Sequence, residues 1–255
     1  MNPLKKKATT RLDTLLVTRG LAASRERARA LILAAQVRVN GVPVTKAGAA
    51  VAEDADVTLV EADHPYVGRG GIKLAHALDT FAIDVAGRVA LDVGASTGGF
   101  TDVLLRHGAA RVVALDVGHG QLDWRLRNDP RVVVIERVNA RTLTPDQLAS
   151  GERTFDVITM DLSFISLRQV LPAVAPLLKP GGDMVVLVKP QFEAGRGEVG
   201  KGGIVRDPAV QARVVEEVAA AADSLGLRRI ALVESPITGT EGNREFLLHL
   251  KRDGD

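Results

Sequence analysis

A chain of 255 residues with 46% hydrophobic side chains suits one mid-sized domain plus a small module and excludes long-range disorder. It has no cysteine, which excludes disulfides, thiolate zinc sites and a cysteine nucleophile and suits a reducing, cytoplasmic setting; with aromatics at only 3%, the core must come from Ala, Val, Leu and Ile. The formal net charge is only +2, but Lys5, Lys6, Lys7, Arg11, Arg19, Arg25, Arg27, Arg29 and Arg38 crowd the N-terminal region against Asp13 and Glu26 alone.

Residues 1–10 read as a basic arm; polar residues follow Lys7, so it does not resemble a secretory signal. Leu12, Leu15 and Leu16 predict a short amphipathic helix closed by Gly20. Ser24 caps a second helix over about residues 25–36, with Arg25 and Arg29 four apart on one face. Asn40-Gly41 between alternating valines (Val37, Val39, Val42, Val44) signals a hairpin, and 57–60 adds a strand. Over residues 11–62 this order of elements resembles an S4-type RNA-binding domain. The resemblance implies that Arg11, Arg19, Arg25, Arg29 and Arg38 grip phosphates, positioning RNA without reading its sequence. A merely solvated basic face, or one that binds protein, is the alternative.

We divide the chain into an S4-like domain with its arm (1–62), a linker (63–71) and a larger domain (72–255). Pro65, Gly68, Gly70 and Gly71 interrupt regular structure in the linker. Its Tyr66 and Arg69 either contact RNA or couple the domains, or Tyr66 simply docks. A helix over 72–81 carries Leu74, Leu78 and Phe81. Strands then fall at 88–93, 111–116, 131–136, 155–161, 183–189, 229–234 and 244–250, with helices at about 99–107, 119–127, 144–150, 166–179 and 207–225. Apolar strands between helices predict an α/β fold with a mainly parallel, doubly wound, Rossmann-like sheet. No run of roughly 18 apolar residues marks a membrane span.

Between the first strand of this domain and its helix lies Asp92-Val93-Gly94-Ala95-Ser96-Thr97-Gly98-Gly99-Phe100. Glycine there lets a ligand approach the backbone, but the spacing is not the G-x-G-x-x-G of a dinucleotide site. An acidic residue at the strand end suits a ligand with a cationic amino group better than a pyrophosphate. Asp116 ends the next strand, where a carboxylate takes ribose hydroxyls, and Asn139-Ala140 follow the third, where they line an adenine pocket. The set points to S-adenosyl-L-methionine rather than a nicotinamide dinucleotide.

Polar residues also close later strands: Asp161 in "MDLSF", Lys189 in "LVKPQ" and Glu245 in "GNREF", while Lys73 in "GGIKL" precedes the first. Together with "LDVGASTGGFT", and in this order behind an S4 module, these segments resemble the TlyA family of ribosomal RNA 2′-O-methyltransferases, whose catalytic domain is of the FtsJ/RrmJ type. The resemblance covers nearly the whole chain. It implies a Lys-Asp-Lys-Glu catalytic tetrad falling on Lys73, Asp161, Lys189 and Glu245, with Asp161 also beside the cofactor. A ribose hydroxyl is a weak acid, so its proton needs an uncharged acceptor. We assign that role to Lys189, with Lys73 and Asp161 orienting the hydroxyl and Glu245 anchoring the lysines. The acceptor implied is cytidine in ribosomal RNA within a ribosomal subunit. Because the chain ends soon after its last strand, without room for an extra helix, large-subunit RNA is favoured over small-subunit RNA. No metal-ligand cluster is evident, since the five histidines are scattered.

Weaker signals remain. Ser163, Phe164 and Ser166 shape the pocket beside Asp161, unless Phe164 is core. Trp124 stacks on adenine or RNA, or packs. The glycine-rich stretch 193–203 is a loop that orders on RNA, or a solvated connector. Competing readings are a non-catalytic S4 protein with a relict cofactor site, a hemolysin (a label carried within this family, predicting a membrane-active segment), a nicotinamide-dependent enzyme and a pseudouridine synthase.

Overall fold

The structure, a computed structural model, describes residues 8–33, 35–60, 64–148, 151–195, 197–239 and 241–254. They form two compact units, one reaching to Pro65 and one starting at Tyr66. Lys5–Lys7 of the basic arm, and 61–63 at the expected domain boundary, lie outside the described residues.

The first unit runs β1 (Thr9–Arg11), α1 (Leu12–Thr18), α2 (Arg25–Leu33), β2 (Val37–Val39), β3 (Val42–Pro43), β4 (Ala50–Ala52) and β5 (Val57–Leu59). Leu12, Leu16, Ala28, Ile32 and Val37 are fully buried between the helices and the strands. The Asn-Gly turn forms as its chemistry requires: Asn40 and Gly41 both take positive φ (51° and 78°), and Val39 pairs with Val42. β2 also pairs with β5. The Ser24 Oγ accepts from Arg27 N (3.1 Å), capping α2. That helix stops before residue 36 because Ala35 turns left-handed (φ 56°) and Gln36 N bonds Leu31 O. Thr9 and Thr10, read as part of the basic arm, and Arg11 pair antiparallel with Ala50–Ala52.

The second unit begins with α3 (Gly70–Phe81), which starts inside the segment read as linker. There follow β6 (Val89–Val93), α4 (Gly99–Arg106), β7 (Arg111–Asp116), α5 (Trp124–Arg127), β8 (Val132–Glu136), β9 (Phe155–Met160), α6 (Leu167–Val174), β10 (Leu178–Val188), α7 (Pro190–Glu193), α8 (Pro208–Asp223), β11 (Leu227–Glu234) and β12 (Phe246–Arg252). The strands form one seven-stranded sheet in the order β11-β12-β10-β9-β6-β7-β8. From β10 to β8 all neighbours are parallel, and β12 runs antiparallel to β10 and β11. β6 is where the connections change direction, so ligands belong at its carboxyl end.

Apolar side chains explain the two layers. Leu167, Val170, Leu171 and Val174 of α6 and Val215 and Val218 of α8 pack on one face. Leu74 and Leu78 of α3 and Val103 and Leu104 of α4 pack on the other. Each such burial stabilises the fold by about 1.5–3 kcal/mol.

Three predicted helices are shorter than their periodicity suggested. Of 119–127 only Trp124–Arg127 is helical, after a turn through Gly118 and Gly120. Within 144–150 only a 3-10 turn, Pro145–Gln147, forms; Gln147 reaches back to Thr144 N (2.9 Å), and 149–150 lie outside the described residues. The stretch 166–179 is helical to Val174 and 3-10 to Leu177, after which β10 begins. Pro172 and Pro176, which cannot donate a helical hydrogen bond, fall where it tightens. Among the described residues no helix is long and apolar enough to cross a membrane.

Candidate active site

The turn after β6 is shaped by close backbone approach. Gly94 has φ 86°, and a Cβ there would lie 2.4 Å from the carbonyl oxygen of Asp161. A Cβ on Gly99 would lie 2.9 Å from Gly71 N, at the start of α3. The turn is thereby held between the end of β9 and the first turn of α3. Beside it opens a cleft of about 460 Å³, lined by Gly94, Ser96, Asp116, Asn139, Ala140 and Asp161 among others. Asp116 accepts from Ser96 N and Gly118 N, each at 2.7 Å, which fixes its carboxylate at the cleft. Asn139 Oδ1 accepts from Arg141 N (3.0 Å). Apolar walls (Leu115, Val138, Leu162, Ile165, Val170) with a carboxylate and an amide suit a nucleoside. A glycine turn packed against the Asp161 carbonyl beside this cleft, with Asp116 at the second strand, fits S-adenosylmethionine.

Asp92, expected beside the ligand's amino group, lies beneath the glycine turn. It is fully buried and accepts hydrogen bonds from Thr101 Oγ1 (2.7 Å) and Thr159 Oγ1 (3.0 Å). It lines neither cavity described here; its carboxylate faces these two hydroxyls beneath the glycine turn. Burial pushes its carboxyl up to about 7; the two hydroxyl bonds oppose this and the charge of Asp161 adds to it. Its structural work is to tie β6 to α4 and β9. Gly98 likewise faces inward, towards Leu122 and Leu126.

A second, polar cavity of about 220 Å³ shares Gly94, Ser96, Asp161 and Ser163 with the cleft. It adds Arg69, Gly70, Lys73, Ala95, Thr97, Gly99, Phe100 and Lys189. The sheet brings three of the four tetrad positions to one edge: Asp161 follows β9, Lys189 follows β10, and Glu245 precedes the antiparallel β12, in which Phe246 pairs with Val188. Lys73 reaches the same edge from α3. The tetrad resolves into two ion pairs. Lys189 Nζ lies 2.7 Å from Asp161 Oδ1 and donates to Ser163 Oγ at 3.0 Å. Lys73 Nζ donates to Glu245 Oε2 at 2.5 Å, both side chains being buried. Glu245 therefore anchors Lys73, not both lysines, and stands behind the cavity. Gly239 permits this: a Cβ there would be 2.6 Å from Glu245 Oε1.

Phe164 is not core. It is 91% exposed, takes φ 65° and leans on Phe192 at the mouth of the cleft (ring centroids 5.2 Å apart). A bulky residue in that conformation is uncommon and marks a constrained loop. Glu193, read from the sequence only as the start of the stretch 193–203, holds the segment that follows. It is buried and accepts from Ser166 Oγ (2.5 Å) and Leu167 N (2.6 Å), fixing the start of α6. A buried carboxylate at a helix start is favoured by the helix dipole. Asn243 was also missed: its Oδ1 accepts from Val205 N and its Nδ2 donates to Gly203 O, tying the glycine-rich stretch to the segment before Glu245. Arg196 of that stretch lies outside the described residues.

Arg69 belongs to the second unit, immediately before α3 and facing the polar cavity. Tyr66 packs over Gly71, with the Arg106 guanidinium 5.8 Å from its ring. In the first unit the arginines divide. Arg11 and Arg25 both pair with the buried Asp13 (2.8 and 3.3 Å), and Arg19 donates to the carbonyls of Ala55 and Glu53, so these three hold the unit together. Arg29 and Arg38 are exposed. Among the described residues no group of His, Asp and Glu is placed to hold a metal ion.

Residues 66–252 match the family model described as FtsJ-like methyltransferase, and residues 10–57 match that of the S4 domain. Fold and site thus define a Rossmann-like methyltransferase domain joined to an S4 module. The chain is 53% identical over 246 residues, 96% of its length and 91% of the relative's, to the 16S/23S rRNA (cytidine-2′-O)-methyltransferase TlyA of Mycobacterium tuberculosis H37Rv. It is 42% identical to Hemolysin A of Brachyspira hyodysenteriae, over 94% and 98% of the two chains. It is 34% identical to the 23S rRNA (cytidine-2′-O)-methyltransferase TlyA of Campylobacter jejuni, over 72% and 70%. The chain belongs to the TlyA family of FtsJ-like methyltransferases.

Proposed function

We propose that this protein transfers a methyl group from S-adenosylmethionine to the ribose 2′-OH of a cytidine in ribosomal RNA, acting in the cytoplasm. Large-subunit RNA is the favoured acceptor, because 23S RNA is common to the names of the Mycobacterium and Campylobacter relatives. The observation that carries the reading is the Lys189–Asp161 pair, which opens onto a cavity continuous with a nucleoside-sized cleft. Residues 1–62 serve as the RNA-holding module and 72–255 as the catalytic domain.

S-adenosylmethionine supplies a methyl group on a sulfonium centre. Gly94, Ser96, Asp116, Asn139 and Ala140 hold the cofactor along the cleft, and Asp161 stands where cleft and polar cavity meet. Lys189, once the ammonium that pairs with Asp161 has given a proton to solvent, takes the proton from the 2′-OH. Asp161 and Ser163 hold its amine in one place, and Lys73, pinned by Glu245, holds positive charge beside the ribose oxygen. Placement of that oxygen in line with the methyl group accounts for the remaining acceleration.

The test is transfer of radiolabel from S-adenosylmethionine to purified ribosomal subunits, wild type beside Lys189→Ala. We expect label in large-subunit ribose from the wild type, reduced about 10²- to 10⁴-fold in the variant with cofactor affinity retained. Tight cofactor binding without transfer to either subunit would instead mark a binding protein with a relict site.

A further inference from the structure

A tryptophan in a chain poor in aromatics would be expected in the core, where its burial contributes most. Trp124 is instead 72% exposed, and its indole has no ring or hydrogen-bond partner among the described residues. The exposure does not come from a loose loop. Asp123 caps the single turn of α5 by accepting from Arg125 N (2.9 Å), and Asp123 N donates to Thr97 O (3.1 Å). Leu126 is buried beneath, filling the space over Gly98. The indole is therefore held outward on a turn fixed to the glycine turn, and Thr97 itself lines the catalytic cavity with Arg69.

On the flank of the same turn lies a groove of about 250 Å³, lined by Arg106, Arg125 and Arg131 against Asp102 and Asp129. Their guanidinium-bearing side chains are 48%, 59% and 44% exposed. Arg125 engages Asp123 through Nε and Nη2, leaving Nη1 without a partner among the described residues. Arg106 pairs with Asp102 (2.8 Å) and Arg131 with Asp129 (2.8 Å), so Arg125 Nη1 is the donor the groove offers beside the indole, and a flat aromatic surface next to such a donor suits a stacked base with its phosphate. A lone indole is too small an apolar patch for a protein partner.

We propose that Trp124 is a stacking platform for one unpaired base of the RNA next to the methylated nucleotide, with Arg125 Nη1 donating to the adjoining phosphate. This rests on reading the chain as an RNA methyltransferase. The target ribose must enter the cavity between Thr97 and Lys189, so a neighbouring base has to be held outside it, and Trp124 directly follows Asp123, which is bonded to the Thr97 carbonyl.

Trp124 is the only tryptophan in the chain, so its emission reports on this position alone. The full-length protein is titrated with protein-free ribosomal RNA while that emission is followed, and methyl transfer to ribosomal subunits is assayed for wild type, Trp124→Ala and Trp124→Tyr. We expect RNA to quench the emission and S-adenosylhomocysteine alone to leave it unchanged. Trp124→Ala should raise the KM for RNA about 5- to 150-fold, the range for losing one stacked base, with kcat and cofactor affinity preserved and Trp124→Tyr recovering most of the loss. RNA binding that leaves the emission unaltered, or a wild-type KM in Trp124→Ala, overturns the platform. Quenching by a protein that transfers no methyl group upholds the platform and removes the enzymatic reading. Transfer without quenching does the reverse.

Discussion

Replacing Asp92 by Asn separates a structural carboxylate from a ligand-binding one. In the fold this carboxyl is enclosed beneath the glycine turn and its folded-state value is raised from 3.8 to about 7. A carboxyl raised on folding favours the protonated form, so its contribution to stability is complete below about pH 4 and is withdrawn as pH rises through about 7. A displacement of about three units corresponds to about 4 kcal/mol across that window. Asparagine imitates the neutral acid at every pH but serves two hydroxyl donors less well, at a cost of about 1 kcal/mol. The variant should therefore be slightly less stable than wild type near about pH 4 and about 3 kcal/mol more stable near about pH 8. Urea unfolding of both proteins at the two pH values measures this, and the wild-type-to-variant difference cancels the other titrating groups. A difference that does not change with pH, or a variant less stable in the alkaline range, refutes the reasoning. S-adenosylhomocysteine affinity gives a second readout: it should hardly move, whereas a loss of about tenfold or more, about 1.4 kcal/mol, would restore Asp92 as a direct ligand.

Glu245→Ala leaves the Lys73 ammonium buried without its counter-charge and should cost about 3–5 kcal/mol in thermal or urea unfolding, along with methyl transfer. Gly94→Ala places a Cβ 2.4 Å from the Asp161 carbonyl at φ 86° and should abolish S-adenosylhomocysteine binding by calorimetry. Gly87→Ala, also at positive φ but with open space around its Cβ, should cost only about 1 kcal/mol and leave binding intact. Arg11, against the opposing effect of burial and with help from Arg25, holds the Asp13 carboxyl well below the usual carboxylate range. That contribution is present above about pH 4 and lost as pH falls, so Asp13→Asn should flatten the acid dependence of the N-terminal unit's stability, measured by circular dichroism.

The elements that local chemistry decides were legible in the sequence. Asn40-Gly41 can close a two-residue hairpin because both residues accept positive φ, and Ser24 can cap a helix whatever lies around it. The mainly parallel character of the sheet followed from apolar runs alternating with amphipathic ones. Helix ends were less legible because distant partners set them. The stretch 166–179 is apolar enough to continue, yet Leu178 pairs with Phe155 as the first rung of β10. Thr9–Arg11 carry no strand signal of their own and pair only because Ala50–Ala52 lie alongside.

The candidate site shows the same division more sharply. Charged residues at strand ends do not by themselves make a catalytic set. Asp183, at the opposite edge of the sheet, also gathers basic partners, bonding Arg88 (2.8 Å) and sharing a hydrogen bond with His249 (3.0 Å). Burial pushes its carboxyl up, but the bonds to His249 and Arg88 and the charge of Lys251 outweigh this and hold it at about 2. In joining an aspartate to basic side chains it resembles the Lys189–Asp161 pair. Two things separate them. One is the edge of the sheet, which the parallel order makes readable, since chemistry gathers at the carboxyl ends of such strands. The other is closure: Asp183 lines neither cavity, whereas Lys189 and Asp161 open onto one. Closure depends on what packs over a group from remote parts of the chain, and the sequence does not display it. That is why the enclosure of Asp92 by Thr101 and Thr159, at the right edge, was not legible. It is also why Phe164 and Trp124, the two exposed aromatics beside the cavities, could not be told from core until the fold placed them.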